Sequence, residues 1–150
     1  GFVEARGLGF AYRTCLLPPG AVVTRVEVAL REGDVAESER IMQADREHRR
    51  RTQPLDKPTF GSNFRNPPGD FAGRLVEVVG LKGHRVGNAT WSPVHANFVS
   101  NLGGATARDV LALVNLARSR VKERLGIDLE TEVRLLGEFL AEDLGGLEVG

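Results

Sequence analysis

Thr106-Ala107-Arg108-Asp109-Val110-Leu111-Ala112-Leu113-Val114-Asn115-Leu116-Ala117-Arg118-Ser119-Arg120-Val121-Lys122-Glu123-Arg124-Leu125-Gly126 is the stretch that decides the fold class. Val110, Leu113, Val114, Ala117, Val121 and Leu125 recur at helical intervals, so one face of a long helix is apolar. Thr106 can accept a hydrogen bond from a free amide of the first turn, and Gly126 supplies the stop. Upstream, Ala96 to Ser100 and Arg85 to Trp91 read as two short strands. Further upstream, Asp70 is expected to cap a short helix with Phe71, Leu75, Val76 and Val79 at helical spacing, closed by Gly80. Downstream, Ile127 to Leu136 reads as a last strand with Val133, Leu135 and Leu136 buried. The order helix, strand, strand, helix, strand predicts an α+β class, a small two-layer domain with both helices on one sheet face. From Glu138 the tail is acidic with glycines, and is expected to be loosely held.

The N-terminal third reads differently. Val22 to Leu30 alternates apolar and polar and is rich in β-branched residues, which predicts a strand fed by the Pro18-Pro19-Gly20 turn. Phe10 to Arg13 is expected to end an earlier strand. Gly33 breaks the pattern, and Asp34 can cap a very polar helix from Val35 to about Arg51. Only Val35, Ile41, Met42 and a few alanines offer it an apolar stripe, so it reads as a surface connector. Its His48-Arg49-Arg50-Arg51 end suits a helix C-terminus electrostatically. Thr52 to Asp70 holds four prolines and is expected to be irregular. A domain boundary is placed near residue 57, dividing residues 1–57 from 58–150.

Composition excludes several classes. The chain has 150 residues, room for one domain or a small domain with part of another. It carries 20 Lys plus Arg against 20 Asp plus Glu, so no bulk field draws it to nucleic acid or an anionic membrane. No apolar run approaches the length of a membrane span. A single cysteine, Cys15, leaves no internal disulfide, and His48, His84 and His95 show no metal-ligand spacing. The chain starts at Gly1 inside what reads as structured sequence, which suggests a piece of a longer protein.

Gly61-Ser62-Asn63-Phe64-Arg65-Asn66-Pro67-Pro68-Gly69 is the strongest candidate site. Glycine and proline hold such a loop in one shape while Ser62 and backbone amides face a ligand. The plainer reading of Ser62 is a turn serine, and no Gly-x-Ser-x-Gly elbow surrounds it. Glu132 and Arg134 share one face of the last predicted strand, either as a solvated edge or as an acid and a cation in a cleft. His95 reads first as a satisfied structural histidine. Arg13 and Arg49 read in isolation as surface cations. Gly7-Leu8-Gly9 is weak evidence for a phosphate loop, because Tyr12 stands where a third glycine belongs.

Taken in order, these segments resemble one family. Tyr12-Arg13, Gln53-Pro54, Gly61-Ser62-Asn63-Phe64-Arg65-Asn66-Pro67, Ala72-Gly73-Arg74-Leu75-Val76-Glu77, Gly80-Leu81-Lys82-Gly83, His95-Ala96-Asn97-Phe98 with Asn101, and Gly126-Ile127-Asp128-Leu129 leading to Glu132-Val133-Arg134 look like UDP-N-acetylenolpyruvoylglucosamine reductase, in its shorter variety. The resemblance implies that residues 1–57 end an α+β flavin-binding domain and that 58–150 form the substrate domain. It implies FAD as cofactor, NADPH as hydride donor and reduction of the enolpyruvyl ether of a UDP-sugar to UDP-N-acetylmuramate. Arg13, Ser62 and Glu132 match the family's catalytic arginine, serine and glutamate. Arg13 would steady an enolate by charge, and Ser62 would give its proton to the α-carbon. Glu132 can help only as a protonated acid or through an intervening donor, because a bare carboxylate repels an enolate. Tyr12, Arg49, Asn66 and His95 match substrate contacts, and Arg134 is placed near the cofactor by position alone. Cys15 stands where the family commonly has serine. The flavin's glycine-rich phosphate loops are not in this sequence, so this chain alone is expected to bind FAD poorly and not turn over. The expected partner is a small-molecule nucleotide-sugar, with no nucleic acid and no membrane, and the expected setting is a cytoplasmic monomer. The alternative is a non-catalytic module that binds a nucleotide-sugar or another anion.

Overall fold

The computed structural model describes residues 1–149 and divides the chain into two units, Gly1–Val35 and Ala36–Gly150. The boundary expected near residue 57 falls inside the second unit.

In the first unit a 3-10 turn spans Ala5–Leu8. Ala11 and Thr14 then pair back to back, with Ala11 N–H donating to Thr14 O at 3.0 Å and Thr14 N–H to Ala11 O at 3.2 Å. Phe10 to Arg13 is therefore part of a tight turn, not the end of a strand. Val22 to Leu30, expected as a strand, has no ladder partner among the described residues, and Val22, Val23, Val26, Val28 and Leu30 are exposed. Alternation encodes a surface that wants pairing, but a strand exists only where a second segment supplies the hydrogen bonds.

Helix α1 (Val35–Thr52), which buries no residue, begins on the last residue of the first unit and continues in the second. Local pairs sustain it: Arg40 Nη2 donates to Glu37 Oε1 at 2.7 Å, and Thr52 Oγ1 to His48 O at 2.8 Å. Strand β1 (Thr59–Ser62) follows, inside the stretch expected to be irregular. Then come α2 (Ala72–Val78), β2 (Arg85–Val86), β3 (Ala89–Trp91), β4 (Phe98–Asn101), α3 (Ala107–Leu125) and the short α4 (Ala141–Leu144). The sheet is wholly antiparallel in the order β1-β4-β3-β2. The expected single strand from Arg85 to Trp91 is a hairpin, because Gly87-Asn88 turns the chain with Gly87 at φ +52. A side chain at Gly87 would collide with the Asp109 carboxylate, which accepts the Asn88 N–H at 3.3 Å.

Helix α3 matches its sequence signals closely. Thr106 Oγ1 accepts from Asp109 N at 3.1 Å while Asp109 Oδ2 accepts from Thr106 N at 3.0 Å, a complete capping box. Leu111, Leu113, Val114, Ala117 and Val121 are buried, whereas Leu125 is exposed at the end of the stripe. Leu113, Val114, Ala117 and Val121 pack with Leu75, Val76 and Val79 of the α2 region and with Trp91 and Val99 of the sheet in one core. The Phe64 ring stacks on Trp91 with centroids 5.9 Å apart. Phe71, expected on the buried face of α2, is exposed. Asp70 accepts from Phe71 N at 2.6 Å, but the Oδ1 of Asn66 takes the first free amide of the helix, Ala72 N, at 3.0 Å.

Ile127 to Leu136 is not a continuous strand. Its ladder pairing is limited to two isolated bridges, Phe64 with Thr131 and Leu135 with Val149, while Leu129 is buried in the core. Leu136 is exposed, while Val133 and Leu135 are half-buried. The chain that follows β1 meets Pro67-Pro68 soon after the Phe64 bridge, and proline cannot extend a ladder. The tail is held rather than loose. Asn115 Nδ2 donates to Asp143 O at 3.0 Å, Arg118 Nη1 to Gly145 O at 3.0 Å, and Arg108 Nε to Asp143 Oδ2 at 3.0 Å. Its polarity hides these contacts from a reading based on apolar periodicity.

Candidate functional site

The site grows from an irregularity in β1. Thr59 pairs with Ser100 but Ser62 pairs with Phe98, so β1 carries one extra residue across that interval. Gly61 absorbs it at φ +91, a conformation in the region that favours glycine. A bulge re-aims the residues that follow it, and here the next residue is Ser62. Among the described residues no hydrogen bond engages the Ser62 hydroxyl, and the residue is half-buried.

The segment after Ser62 binds the segment carrying Glu132. Glu132 N–H donates to Asn63 O at 2.8 Å, and Arg65 N–H donates to Glu130 O at 2.9 Å. These two bonds flank the Phe64–Thr131 bridge and set Glu132 opposite the neighbour of Ser62. Arg65 Nη1 also pairs with Glu130 Oε1 at 2.8 Å, leaving its buried Nε without a partner among the described residues.

Asn66 and His95 each lie against the first turn of α2. Asn66 caps it through Oδ1, which leaves its exposed amide nitrogen for a ligand. A side chain on Gly73, one residue further along, would come within 2.9 Å of the His95 ring. His95 Nδ1 accepts from Asn97 N at 3.2 Å and its ring meets Phe98 edge-on at 4.8 Å. Burial lowers the His95 pKa below its ordinary 6.5, and the Lys82 ammonium pushes the same way against a local backbone hydrogen bond. The unfolded chain therefore takes up a proton near pH 6.5 that the folded chain refuses, so stability falls as pH drops through that value. Urea midpoints measured from pH 8 to pH 5 should fall less steeply in His95→Gln than in the parent. Identical slopes would contradict this account.

The remaining expected residues are carried by other segments. Tyr12 and Arg13 belong to the first unit, at the tip of the Ala11–Thr14 turn. Arg13 has φ +58, a strained value for a residue with a side chain, and its guanidinium carbon lies 5.8 Å from the Tyr12 ring centroid. Arg49 sits in the last turn of α1, where its Nε donates to Gln53 Oε1 at 3.4 Å. Arg134 is exposed and has no ion pair among the described residues. Reading the sequence missed Asn63 and Asn97 as functional candidates. Both are buried, at 0% and 3% exposure, and a buried asparagine announces itself only through partners distant in sequence. No helix among the described residues is long and apolar enough to cross a membrane.

The family model for the C-terminal domain of UDP-N-acetylenolpyruvoylglucosamine reductase matches residues 53–136, more than half of the chain. A UDP-N-acetylenolpyruvoylglucosamine reductase of Anaeromyxobacter sp. (strain Fw109-5) is 82% identical over 147 residues, which is 98% of this chain and 46% of that protein. The reductase of Myxococcus xanthus is 56% identical over 140 residues, 93% of this chain and 45% of the relative. Among solved structures, the UDP-N-acetylenolpyruvylglucosamine reductase of Thermus caldophilus superposes with a TM-score of 0.72 at 48% identity, covering 85% of this chain and 46% of that one. The chain thus spans about half the length of the relatives it matches.

Proposed function

Because this chain belongs to the family of UDP-N-acetylenolpyruvoylglucosamine reductase C-terminal domains, we propose that it is the substrate-handling part of an enzyme that reduces the enolpyruvyl ether of UDP-N-acetylglucosamine to the lactyl ether in peptidoglycan precursor synthesis. One observation carries the reading for this chain's own residues. The bulge at Gly61 delivers Ser62, and a 2.8 Å backbone bond seats Glu132 against the adjacent Asn63.

FAD and NADPH are part of the proposal. The donor set suits the edge of a flavin and an enolpyruvyl group. Nothing lies within 4 Å of where a side chain on Gly61 would stand, Ser62 offers an unengaged hydroxyl, and Arg134 is an exposed cation. A bound FAD would supply hydride-transfer chemistry between NADPH and the β-carbon of the substrate's enol ether. The chain's residues handle the charge and the proton. Arg13 attracts the carboxylate as negative charge builds toward an enolate. Ser62 breaks its O–H bond as the α-carbon gains its hydrogen, and solvent returns a proton to the hydroxyl. Glu132 supports the enolate as a protonated acid or through a bridging donor. Asn66 uses its free amide nitrogen, and Tyr12, Arg49 and His95 complete the grip on the nucleotide-sugar, with Arg134 toward the flavin. Residues 1–57 are assigned to the flavin domain and 58–150 to the substrate domain, in a monomeric cytoplasmic enzyme.

The test uses the full-length polypeptide. Anaerobic NADPH should bleach the flavin absorbance, and UDP-N-acetylglucosamine enolpyruvate should restore it with UDP-N-acetylmuramate as product. Binding heat with the nucleotide-sugar but no recovery of absorbance would refute the reductase reading and leave a binding module.

A further inference from the structure

Asn97 engages all its polar atoms, most of them on Asn63 and Phe64, the two residues after Ser62. Its Oδ1 accepts from Phe64 N at 3.0 Å, and its Nδ2 donates to Phe64 O at 2.8 Å. Its carbonyl accepts from Asn63 N at 2.8 Å and from Asn63 Nδ2 at 3.0 Å. Its own N–H donates to His95 Nδ1. The side chain thus closes a ring on the Phe64 peptide groups, as a partner strand would, at the point where the bulge has displaced the regular ladder. Its neighbour Phe98 is the register partner of Ser62. The loop that presents Asn97 is itself fixed, since Ser92 Oγ accepts from Val94 N at 3.0 Å and His95 N at 3.2 Å.

The same peptide units carry the acid. Asn63 O receives Glu132 N–H, and Arg65 N–H reaches Glu130 O, so residues 63–65 are clamped between Asn97 on one side and residues 130–132 on the other. We propose that Asn97 is a positioning residue that holds the Ser62 hydroxyl and the Glu132 segment in register through the peptide groups of Asn63 and Phe64. The proposal rests on the catalytic reading of Ser62 and Glu132 given above. It assigns Asn97 no contact with substrate.

Asparagine suits this place for a chemical reason. Phe64 offers a donor and an acceptor at once, so the side chain must accept and donate together. A protonated carboxyl can do both, but an ionised one can only accept, and it would face the Phe64 carbonyl oxygen in a buried site. Asn97→Asp therefore should make the register depend on pH where the parent does not.

Two measurements test the proposal. In this chain, Asn97→Ala should speed hydrogen exchange of the Glu132 amide at least about 10-fold relative to the Leu113 and Val114 amides of α3. The Glu132 amide has no bond to Asn97, so selective acceleration there reports transmitted register. Acceleration equal to that of α3 would mean general destabilisation and would overturn the proposal, as would no change at Glu132. In the full-length enzyme, Asn97→Asp should restore flavin colour with the enolpyruvyl substrate at least about 10-fold faster at pH 5.5 than at pH 8, beyond any change in the parent. A pH profile parallel to that of the parent would also overturn it. If the parent enzyme fails to use the substrate, the catalytic reading falls, while the exchange experiment still decides the register claim.

Discussion

Ser62→Ala in the full-length enzyme should slow reoxidation of the reduced flavin by the enolpyruvyl substrate by about 100- to 10,000-fold, the usual worth of a positioned proton donor. Flavin reduction by NADPH should stay nearly intact, because no proton to the substrate α-carbon is needed in that half-reaction. The two rates separate in a stopped-flow spectrophotometer. Equal losses in both halves would show that Ser62 shapes the site rather than donating. The structure makes the substitution a clean one. The hydroxyl has no hydrogen bond among the described residues, so its removal orphans no protein partner. The bulge is held by Gly61 and by the pairing of Ser62 with Phe98, which involve only backbone.

Trp91→Ala should cost about 3–5 kcal/mol of stability, the range for deleting a large buried aromatic. Trp91 is fully buried at the centre of the sheet, in one core with Leu113, Val114 and Leu75, and it stacks on Phe64. Losing it opens a cavity directly beneath the segment that follows Ser62. Trp91→Phe should cost much less. It keeps a ring against Phe64 and discards the indole N–H, which is buried with no acceptor among the described residues. Urea titration of the two variants would measure both. A loss below about 1 kcal/mol for Trp91→Ala would contradict the packing described here.

The parts of the fold legible in the sequence are those stabilised by near neighbours. The Thr106–Asp109 box, the polar run of α1 and the apolar stripe of α3 need contacts only three or four residues away. Where two distant segments must meet, local composition is a poor guide. Val22 to Leu30 has strand composition without a ladder, while Thr59–Ser62 has weak composition and a good partner in β4. At the site, the resemblance singled out Ser62, Glu132 and Asn66 from their motifs. It said nothing of why a serine after a glycine should differ from any turn serine.

That difference is tertiary. Local signals along the chain suffice for the class of the domain, its longest helix with both ends, and the family whose motifs it carries. Only the folded chain decided that Gly61 bulges, that Asn97 takes both peptide groups of Phe64, and that Glu132 docks on Asn63. The reason is the reach of the forces involved. Helix caps and apolar stripes are set by neighbours along the chain, whereas hydrogen bonds between residues 63, 97 and 132 exist only after the core around Trp91 has brought three segments to one place.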